Sequence, residues 1–331
     1  MGAKVFIDGH AGTIGLRIRE LLATHRDVTI LEIAEARRKD PEARREMLNA
    51  CDIAILCLPD DAAVEAVRLI ENPRVRVIDG STAHRVAEGW VYGLPELSPE
   101  QRKAVASASR VSNPGCYPTG VSLLLRPLVD AALLPASFPA SIHALSGYSG
   151  GGKAMIEKWE SAESGLVGLP FESPYALDRK HKHVTEMVRY GRLTTEPYFA
   201  PAVGAFRCGM RIEIPLHAAL LPSGSSGQRI HEAFVARYAG ERFIRVEPLK
   251  TTATDERALD PTCVNGTNTV ALHVLPHPSG HVMLVALLDN LGKGASGAAV
   301  QSLNLMLGLA EDTGVRAQPA GERGGRGPVA C

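Results

Sequence analysis

Apolar positions along this chain follow two rhythms. In the first third, short apolar runs of strand length alternate with stretches whose apolar residues recur every three or four positions. Lys4-Val5-Phe6-Ile7-Asp8 reads as a buried strand that runs into Gly9-His10-Ala11-Gly12-Thr13-Ile14-Gly15 and then into a helix with Ile18, Leu21 and Leu22 on one face. Val28 to Ile33, Ile53 to Leu58 and Val75 to Asp79 predict further strands. Between them, Asp40-Pro41 forms a cap and first-turn pair for one helix, and Pro59-Asp60-Asp61 opens another from Ala62 to Ile70. Strand and helix in strict alternation predict a parallel sheet wound with helices. Ser98-Pro99-Glu100-Gln101 has the form of a capping box at the start of a short helix. An apolar run through Val111 then meets the turn Ser112-Asn113-Pro114-Gly115-Cys116-Tyr117-Pro118-Thr119-Gly120, and a helical pattern follows with Val121, Leu124, Leu125 and Leu128.

Beyond that turn the rhythm changes. Ser141 to Leu145 is strand-like, a helix is predicted from His183 to about Arg192, and long strand-like runs cover Met210 to Leu216, Thr269 to Leu275 and His281 to Leu288. Pro276-His277-Pro278-Ser279-Gly280 makes the last two an antiparallel hairpin. The segment Asp289 to Gly297 leads into a helix of small and apolar residues as far as Leu309, and the Gly, Pro and Arg content after Gly314 predicts a loose tail. The pattern as a whole is α/β: a Rossmann-type dinucleotide-binding domain followed by a second, α+β domain.

Composition narrows the functional classes. A chain of 331 residues accommodates two domains, and a formal net charge of zero gives no electrostatic case for nucleic acid or an anionic membrane surface. The apolar runs are far shorter than the ~20 residues of a membrane span, and the N-terminus has no basic segment followed by an apolar core, so a cytoplasmic location is expected. Six cysteines without C-x-x-C pairs fit a reducing compartment with neither a zinc site nor a disulfide framework; all six are expected to be free thiols and no metal is expected.

The chemistry concentrates in a few places. Cys116 is predicted where a strand turns into a helix, and the dipole and open amides of a helix N-terminus lower thiol pKa values from ~8.5 into the ~3.5–7.5 range. The glycines Gly9, Gly12 and Gly15, with Thr13 and Ile14 opening the helix, suit a pyrophosphate resting on backbone amides, although the G-x-x-G-x-x-G spacing differs from the commonest fingerprint. After the second strand, Glu32 and Glu35 could hold ribose hydroxyls, but Arg37, Arg38 and Lys39 favour the 2′-phosphate of NADP. Ligands gather beyond the carboxyl ends of parallel strands, so Pro59 and the loop Asp79 to Arg85, including Ser81, are expected to face cofactor or reaction centre. Ser146 to Lys153 is dense in glycine and hydroxyls and could offer a concave array of backbone donors to an anion. His181 and His183, spaced i, i+2, would diverge on an extended segment and stand about 200° apart on a helix, so at most one should address Cys116. A dinucleotide fold joined to an activated cysteine and a histidine points to acyl-enzyme chemistry coupled to hydride exchange.

These residues resemble the N-acetyl-gamma-glutamyl-phosphate reductase family, shorter type, within the semialdehyde dehydrogenases. The resemblance rests on Ser112 to Thr119, the glycine turn, Ser146-Gly147-x-Ser149-Gly150, His181-Lys182-His183-x-x-Glu186 and Asn290-Leu291-x-Lys293-Gly294-Ala295, and spans Lys4 to about Leu309. It implies NADPH-dependent reduction of N-acetyl-gamma-glutamyl phosphate to the semialdehyde and phosphate in arginine biosynthesis, with Cys116 as nucleophile and His181 as acid–base. It further implies cofactor contacts from Ser146, Gly147 and Asn290, and substrate contacts from Asn113, Ser149, Gly150, Tyr175, His183, Glu186 and an arginine that is Arg207 or Arg211. A homo-oligomer, dimer or tetramer, is implied, as is a division into an NADP-binding domain (1–115 with 290–314), a catalytic and dimerisation domain (116–289) and a tail (315–331). Lys182 stands where relatives often carry Arg, which loses a bidentate fork. The rival readings are aspartate-semialdehyde dehydrogenase, against which Tyr117-Pro118-Thr119 speaks, and a carrier-linked aminoadipate-semialdehyde enzyme. Without a redox step there remain a cysteine acyltransferase and a silent NADP-binding regulator.

Overall fold

The computed structural model describes residues 2–37, 40–249 and 258–317. Its contacts divide into two units: residues up to Pro114 together with Ala295–Val315, and Gly115–Gly294 with the residues after Val315.

The first unit is built on strands β1 (Ala3–Asp8), β2 (Val28–Leu31), β3 (Ile53–Leu56), β4 (Arg76–Asp79), β5 (Val91–Tyr92) and β6 (Arg110–Ser112). They form one parallel sheet in the order β2-β1-β3-β4-β6-β5. Because sequential strands are parallel, each return needs a crossover; α1 (Thr13–Leu22), α2 (Pro41–Ala50), α3 (Asp60–Leu69) and α4 (Pro99–Ser107) supply four of the five, and residues 80–90 join β4 to β5 without a helix. Val5, Phe6, Ile7, Ile53, Ala54, Ile55 and Leu56 are all buried, as expected of strands covered on both faces. Asp40 caps α2 as expected, its Oδ1 accepting the amide of Glu42 at 2.9 Å. The capping box at Ser98 is half formed: Ser98 Oγ accepts the Gln101 amide at 3.0 Å, while the Gln101 side chain donates instead to Tyr92 O.

The second unit is a mixed seven-stranded sheet with helices against it. Its elements are α5 (Cys116–Asp130), β7 (Ser141–Gly147), α6 (Gly152–Glu160), β8 (Ser173–Pro174), α7 (Val184–Tyr190), β9 (Tyr198–Gly204), β10 (Met210–Leu216), α8 (Gly227–Arg237), β11 (Ile244–Val246), β12 (Val270–Pro276) and β13 (Val282–Leu288). The order is β11-β12-β13-β10-β7-β9-β8, and the predicted hairpin is present as the antiparallel pair β12–β13, with Val270 opposite Leu288. Helix α5 is apolar on every side because it is enclosed, packed on β10 and β13 and flanked by α7 and α8. Gly120 permits that approach: a Cβ there would meet Ile212 Cδ1 at 2.5 Å.

The last helix, α9 (Gly297–Leu307), belongs to the first unit and packs on α1 and α4. Its Asn304 Oδ1 accepts from His25 Nε2 at 3.0 Å, and Arg76 donates to Met306 O from β4. Among the described residues no helix is long and apolar enough to cross a membrane. Cys51, Cys57, Cys116 and Cys263 are free thiols, but Cys208 is disulfide-bonded, which corrects the expectation of free thiols throughout.

Candidate active site

The first unit presents its glycine turn at the carboxyl end of β1, next to that of β3. Gly9 has φ +87°, and a Cβ there would lie 2.3 Å from Cys57 O, so the turn closes against the neighbouring strand only with glycine. Gly15 is equally constrained, 2.5 Å from Gly9 O. Gly12 differs, because its Cβ would meet only Gly9 O at 3.5 Å and otherwise open space. It is the N-cap of α1 and makes no side-chain cap, and the first intrahelical amide bond is Leu16 N to Gly12 O at 2.9 Å. The amides of Thr13, Ile14 and Gly15 therefore precede the helix's own bonding, beside a cradle that a side chain at 12 would fill. This geometry fits a dinucleotide pyrophosphate.

Around it, Pro59 is the N-cap residue of α3, and Ser81 is buried, its amide and hydroxyl donating to Asp79 Oδ1 and Oδ2 at 3.0 and 2.6 Å. The same Asp79 Oδ2 is 2.6 Å from His84 Nδ1, and the imidazole stacks on Trp90. Arg37 forms ion pairs with Asp40 and Glu46, while Glu32, one of the acids considered for the ribose, pairs with Arg19. Arg38 and Lys39 lie outside the described residues. Asn113 also belongs to this unit, its Nδ2 donating to Ala295 O at 2.9 Å while its buried Oδ1 has no partner among the described residues.

The second unit carries the thiol. Cys116 is the first residue of α5, after the N-cap Gly115, with no side-chain cap and no acid in the first turn. Pro118 sits at the third helical position, where a missing amide costs nothing, and Thr119 N makes the first intrahelical bond to Gly115 O at 3.0 Å. The amides of Cys116 and Tyr117 thus face forward from the helix end, with its positive dipole behind the sulfur. Gly115 N donates to Glu186 Oε2 at 3.0 Å, so a buried carboxylate from α7 fixes the residue before the nucleophile.

His181 and His183 do not diverge as their spacing suggested. The chain turns between them: Val184 N donates to His181 O at 3.0 Å and His183 N to His181 Nδ1 at 3.1 Å, leaving the two rings 4.8 Å apart. Both lie against Tyr117, at ring distances of 5.9 and 5.8 Å. Tyr175 joins the group, its hydroxyl donating to Tyr117 Oη at 3.1 Å and lying 3.5 Å from His181 Nε2. Because His181 Nδ1 accepts an amide proton, the neutral ring carries its own proton on Nε2. Burial, with the charges of Lys182 and Arg179, pushes the His181 imidazole down to about 4, and burial pushes Tyr175 up to about 12. His181, Tyr117 and Tyr175 are therefore neutral at physiological pH.

Below it, Ser146, Ser149, Gly150 and Asn290 form one network. Asn290 Nδ2 donates to Ser149 Oγ at 2.9 Å, its Oδ1 accepts Gly209 N at 2.8 Å, and a Cβ at Gly150 would touch both Ser146 Oγ and Asn290 Nδ2. The expected array of anion-binding amides is not present at its start, because the amides of Gly147, Tyr148 and Ser149 donate to Gly209 O, Phe206 O and Arg207 O. The Arg207 guanidinium pairs with Glu160, and Arg211 with Glu213, so both are committed within the protein. Two residues without a site role in the sequence reading lie beside the thiol: Tyr117, the next residue of the chain, and Gly294, whose Cβ would stand 2.8 Å from Cys116 Cβ. The glycine-rich run 292–297 was the signal for the second. Among the described residues no group of side chains is arranged to hold a metal.

Comparison with known proteins agrees with this layout. Residues 4–105 match the family described as semialdehyde dehydrogenase, NAD binding domain, and residues 116–290 match semialdehyde dehydrogenase, dimerisation domain. The protein is thus a nicotinamide-dinucleotide-dependent oxidoreductase with an oligomerising second domain. Aspartate semialdehyde dehydrogenase from Francisella tularensis shares the fold at 14% identity with TM-score 0.70, over 92% of this chain and 100% of that one. The enzyme from Candida albicans with NADP does so at 16% and 0.61, over 95% and 100%. At far higher identity stand N-acetyl-gamma-glutamyl-phosphate reductase 2 of Nostoc, 50% identical over 94% of this chain and 99% of its own, and the N-acetyl-gamma-glutamyl-phosphate reductase of Burkholderia cenocepacia, 52% over 92% and 97%. Identity at this level over nearly the whole length, on a frame that the distant dehydrogenases share only as a fold, means that the chain belongs to the N-acetyl-gamma-glutamyl-phosphate reductase family.

Proposed function

We propose that the protein reduces N-acetyl-gamma-glutamyl phosphate to N-acetylglutamate 5-semialdehyde and phosphate with NADPH, in arginine biosynthesis, through a thioester on Cys116. The observation that carries the reading is a thiol at the first position of an uncapped helix, in a unit where two imidazoles converge on the next residue of the chain. Cys116 Sγ attacks the acyl carbon, the carbon–oxygen bond to phosphate breaks, and the phosphate leaves with the bonding pair. The bound nicotinamide supplies the hydride that takes the thioester to the aldehyde level. Once the hydride has been added, the substrate oxygen bears the negative charge and the Nε2–H of neutral His181 donates to it; the carbonyl then re-forms as the carbon–sulfur bond breaks and Cys116 Sγ leaves as thiolate. Tyr175 keeps that ring oriented, and Glu186 keeps Gly115, and hence Cys116, in register.

Thr13, Ile14, Gly15 and the open flank of Gly12 hold the pyrophosphate, with Gly9 shaping the turn and Pro59 and Ser81 at neighbouring strand ends. Arg37 and Arg38 select NADP over NAD, because a guanidinium matches phosphate oxygens two at a time. Ser146, Gly147 and Asn290 are cofactor contacts in this reading, and Asn113, Ser149, Gly150, Tyr175, His183, Glu186 and Arg207 are substrate contacts. The NADP-binding domain is residues 1–115 with 290–314 and the catalytic domain 116–289; the protein is cytoplasmic and works as a dimer or tetramer. The test is phosphate-dependent reduction of NADP with N-acetylglutamate semialdehyde beside aspartate semialdehyde. A clear preference for the first supports the reading, and a preference for the second replaces it with the fold's other activity. Replacing Arg37 and Arg38 with Ala should remove charge-assisted bonds of ~1.5–3 kcal/mol each and raise KM for NADPH far more than for NADH; equal effects would end the assignment.

A further inference from the structure

The chain leaves β13 through Asp289 and Asn290 and enters a π-type turn, Gly292–Ser296, closed by Gly294 N donating to Asp289 O five residues back at 3.0 Å. Such turns are rare and recur at functional positions. This one is fastened on several sides. Asp289 is buried and uses both carboxylate oxygens on backbone amides, Leu291 N at 2.9 Å and Gly266 N at 2.8 Å. Asn290 ties the next residue to Gly209 and Ser149, and Gly292 lies so close to Thr267 O that a Cβ would stand 2.3 Å from it. A segment held at that many points has little freedom to yield.

What this turn presents to the nucleophile is Gly294. A Cβ on it would lie 2.8 Å from Cys116 Cβ, 3.3 Å from Cys116 Cα and 3.1 Å from Asp289 O. Real Cβ atoms do not approach one another to 2.8 Å, so one of the two backbones would have to shift. Gly294 is not among the glycines of positive φ, so its own torsions do not require glycine. The requirement comes from its neighbour.

We propose that Gly294 is a positioning residue: it is the side-chain-free wall against which Cys116 is seated at the start of α5, and the anchored π-turn exists to hold that wall still. This rests on the reading of Cys116 as nucleophile. A seat matters because the attacking sulfur must be placed to within a fraction of an ångström, and a misplacement of about 1 Å costs on the order of 10²-fold in rate.

The test compares Gly294→Ala with Gly120→Ala, which overpacks the same helix against Ile212 and Ala286 one turn beyond the thiol. For each we read kcat and KM, NADPH binding, the rate at which iodoacetamide carbamidomethylates Cys116 by mass spectrometry, and the midpoint of thermal unfolding. Gly294→Ala should lower kcat by ~10²-fold and change the Cys116 alkylation rate several-fold, with NADPH binding unchanged. Gly120→Ala should lower the midpoint and leave alkylation of the folded enzyme as in the wild type. Wild-type kcat and alkylation in Gly294→Ala would overturn the proposal. So would losses no larger than those of Gly120→Ala at equal loss of stability. If Gly294→Ala is too unstable to assay, the same contact is read from stability, by making the substitution in a Cys116→Gly background. The Ala should then cost much less, because the Cβ it strikes is gone; an equal cost in both backgrounds would place the conflict at Asp289 O and refute the seat. Since alkylation and stability do not depend on turnover, they still report on the seat if Cys116→Ser shows that the thioester reading is wrong.

Discussion

An imidazole held among phenols and flanked by two cations stays neutral through the physiological range, and His181 is such a ring, pushed down to about 4 by burial first and then by Lys182 and Arg179. In the proposed reaction its part is that of a neutral donor. His181→Asn should lower turnover by ~10²–10⁴-fold, while His183→Asn should act mainly on KM; a larger kcat loss in His183→Asn would exchange their roles. The depressed value also sets a sign for stability. Between about pH 4 and the unfolded value of ~6.5, the unfolded chain binds a proton that the folded chain does not, so this group makes stability rise with pH across that window and contributes no slope above it. The ring's NMR titration checks both statements, and a midpoint near 6.5 would contradict them. Among the thiols, burial pushes Cys51 and Cys57 up to about 12 and Cys263 up to about 11. At pH 7.5 a thiol reagent should therefore label Cys116 well before these three; prior labelling of any of them would mean that the thiol environments are wrong. The type of each of these residues was legible in the sequence. The convergence of His181 and His183 was not, because it depends on one turn closed by a bond from the backbone to Nδ1, and i, i+2 spacing alone carries no trace of it.

At the scale of elements, the two flanking glycines of the cofactor turn make a paired test. Gly9→Ala introduces a left-handed alanine with its Cβ 2.3 Å from Cys57 O, and should destabilise the protein by at least the ~1–3 kcal/mol of a strained torsion. Gly12→Ala meets nothing nearer than 3.5 Å, so the melting temperature without cofactor should hardly move. The added methyl fills the cradle, however, and the thermal shift on adding NADPH should shrink. A Gly12→Ala protein that binds NADPH as before would remove the pyrophosphate from this turn. The alternation of strands and helices in the first unit was legible because its parallel strands carry unbroken apolar runs such as Val5 to Ile7 and Ile53 to Leu56, and its turns carry Gly, Pro and Asp. The glycine-rich segment after Ser146 misled for a physical reason. Its composition allowed an open nest, but the amides of Gly147, Tyr148 and Ser149 are claimed by the chain at Phe206, Arg207 and Gly209, far away in sequence.

For the molecule as a whole, the sequence predicted two kinds of region but not how the second closes. In the seven-stranded sheet β7 pairs in parallel with β9, with α6, β8 and α7 between them in the chain, and local periodicity does not reveal a pairing of that range. Helix α8 and strands β9 and β11 went unpredicted for the same reason: their apolar residues are spaced by what they pack on, as with Ile230 and Phe234 in α8. In the proposed reaction the Cys116 thiol takes the acyl group before the hydride donor is needed. That order is open to one direct measurement. Enzyme mixed with N-acetyl-gamma-glutamyl phosphate in the absence of NADPH, quenched in acid and digested, should show the mass of an N-acetylglutamyl thioester on the peptide bearing Cys116, and the adduct should vanish when NADPH is added before the quench. An acyl adduct on Cys57 or Cys263, or turnover in Cys116→Ser at the wild-type rate, would contradict the account.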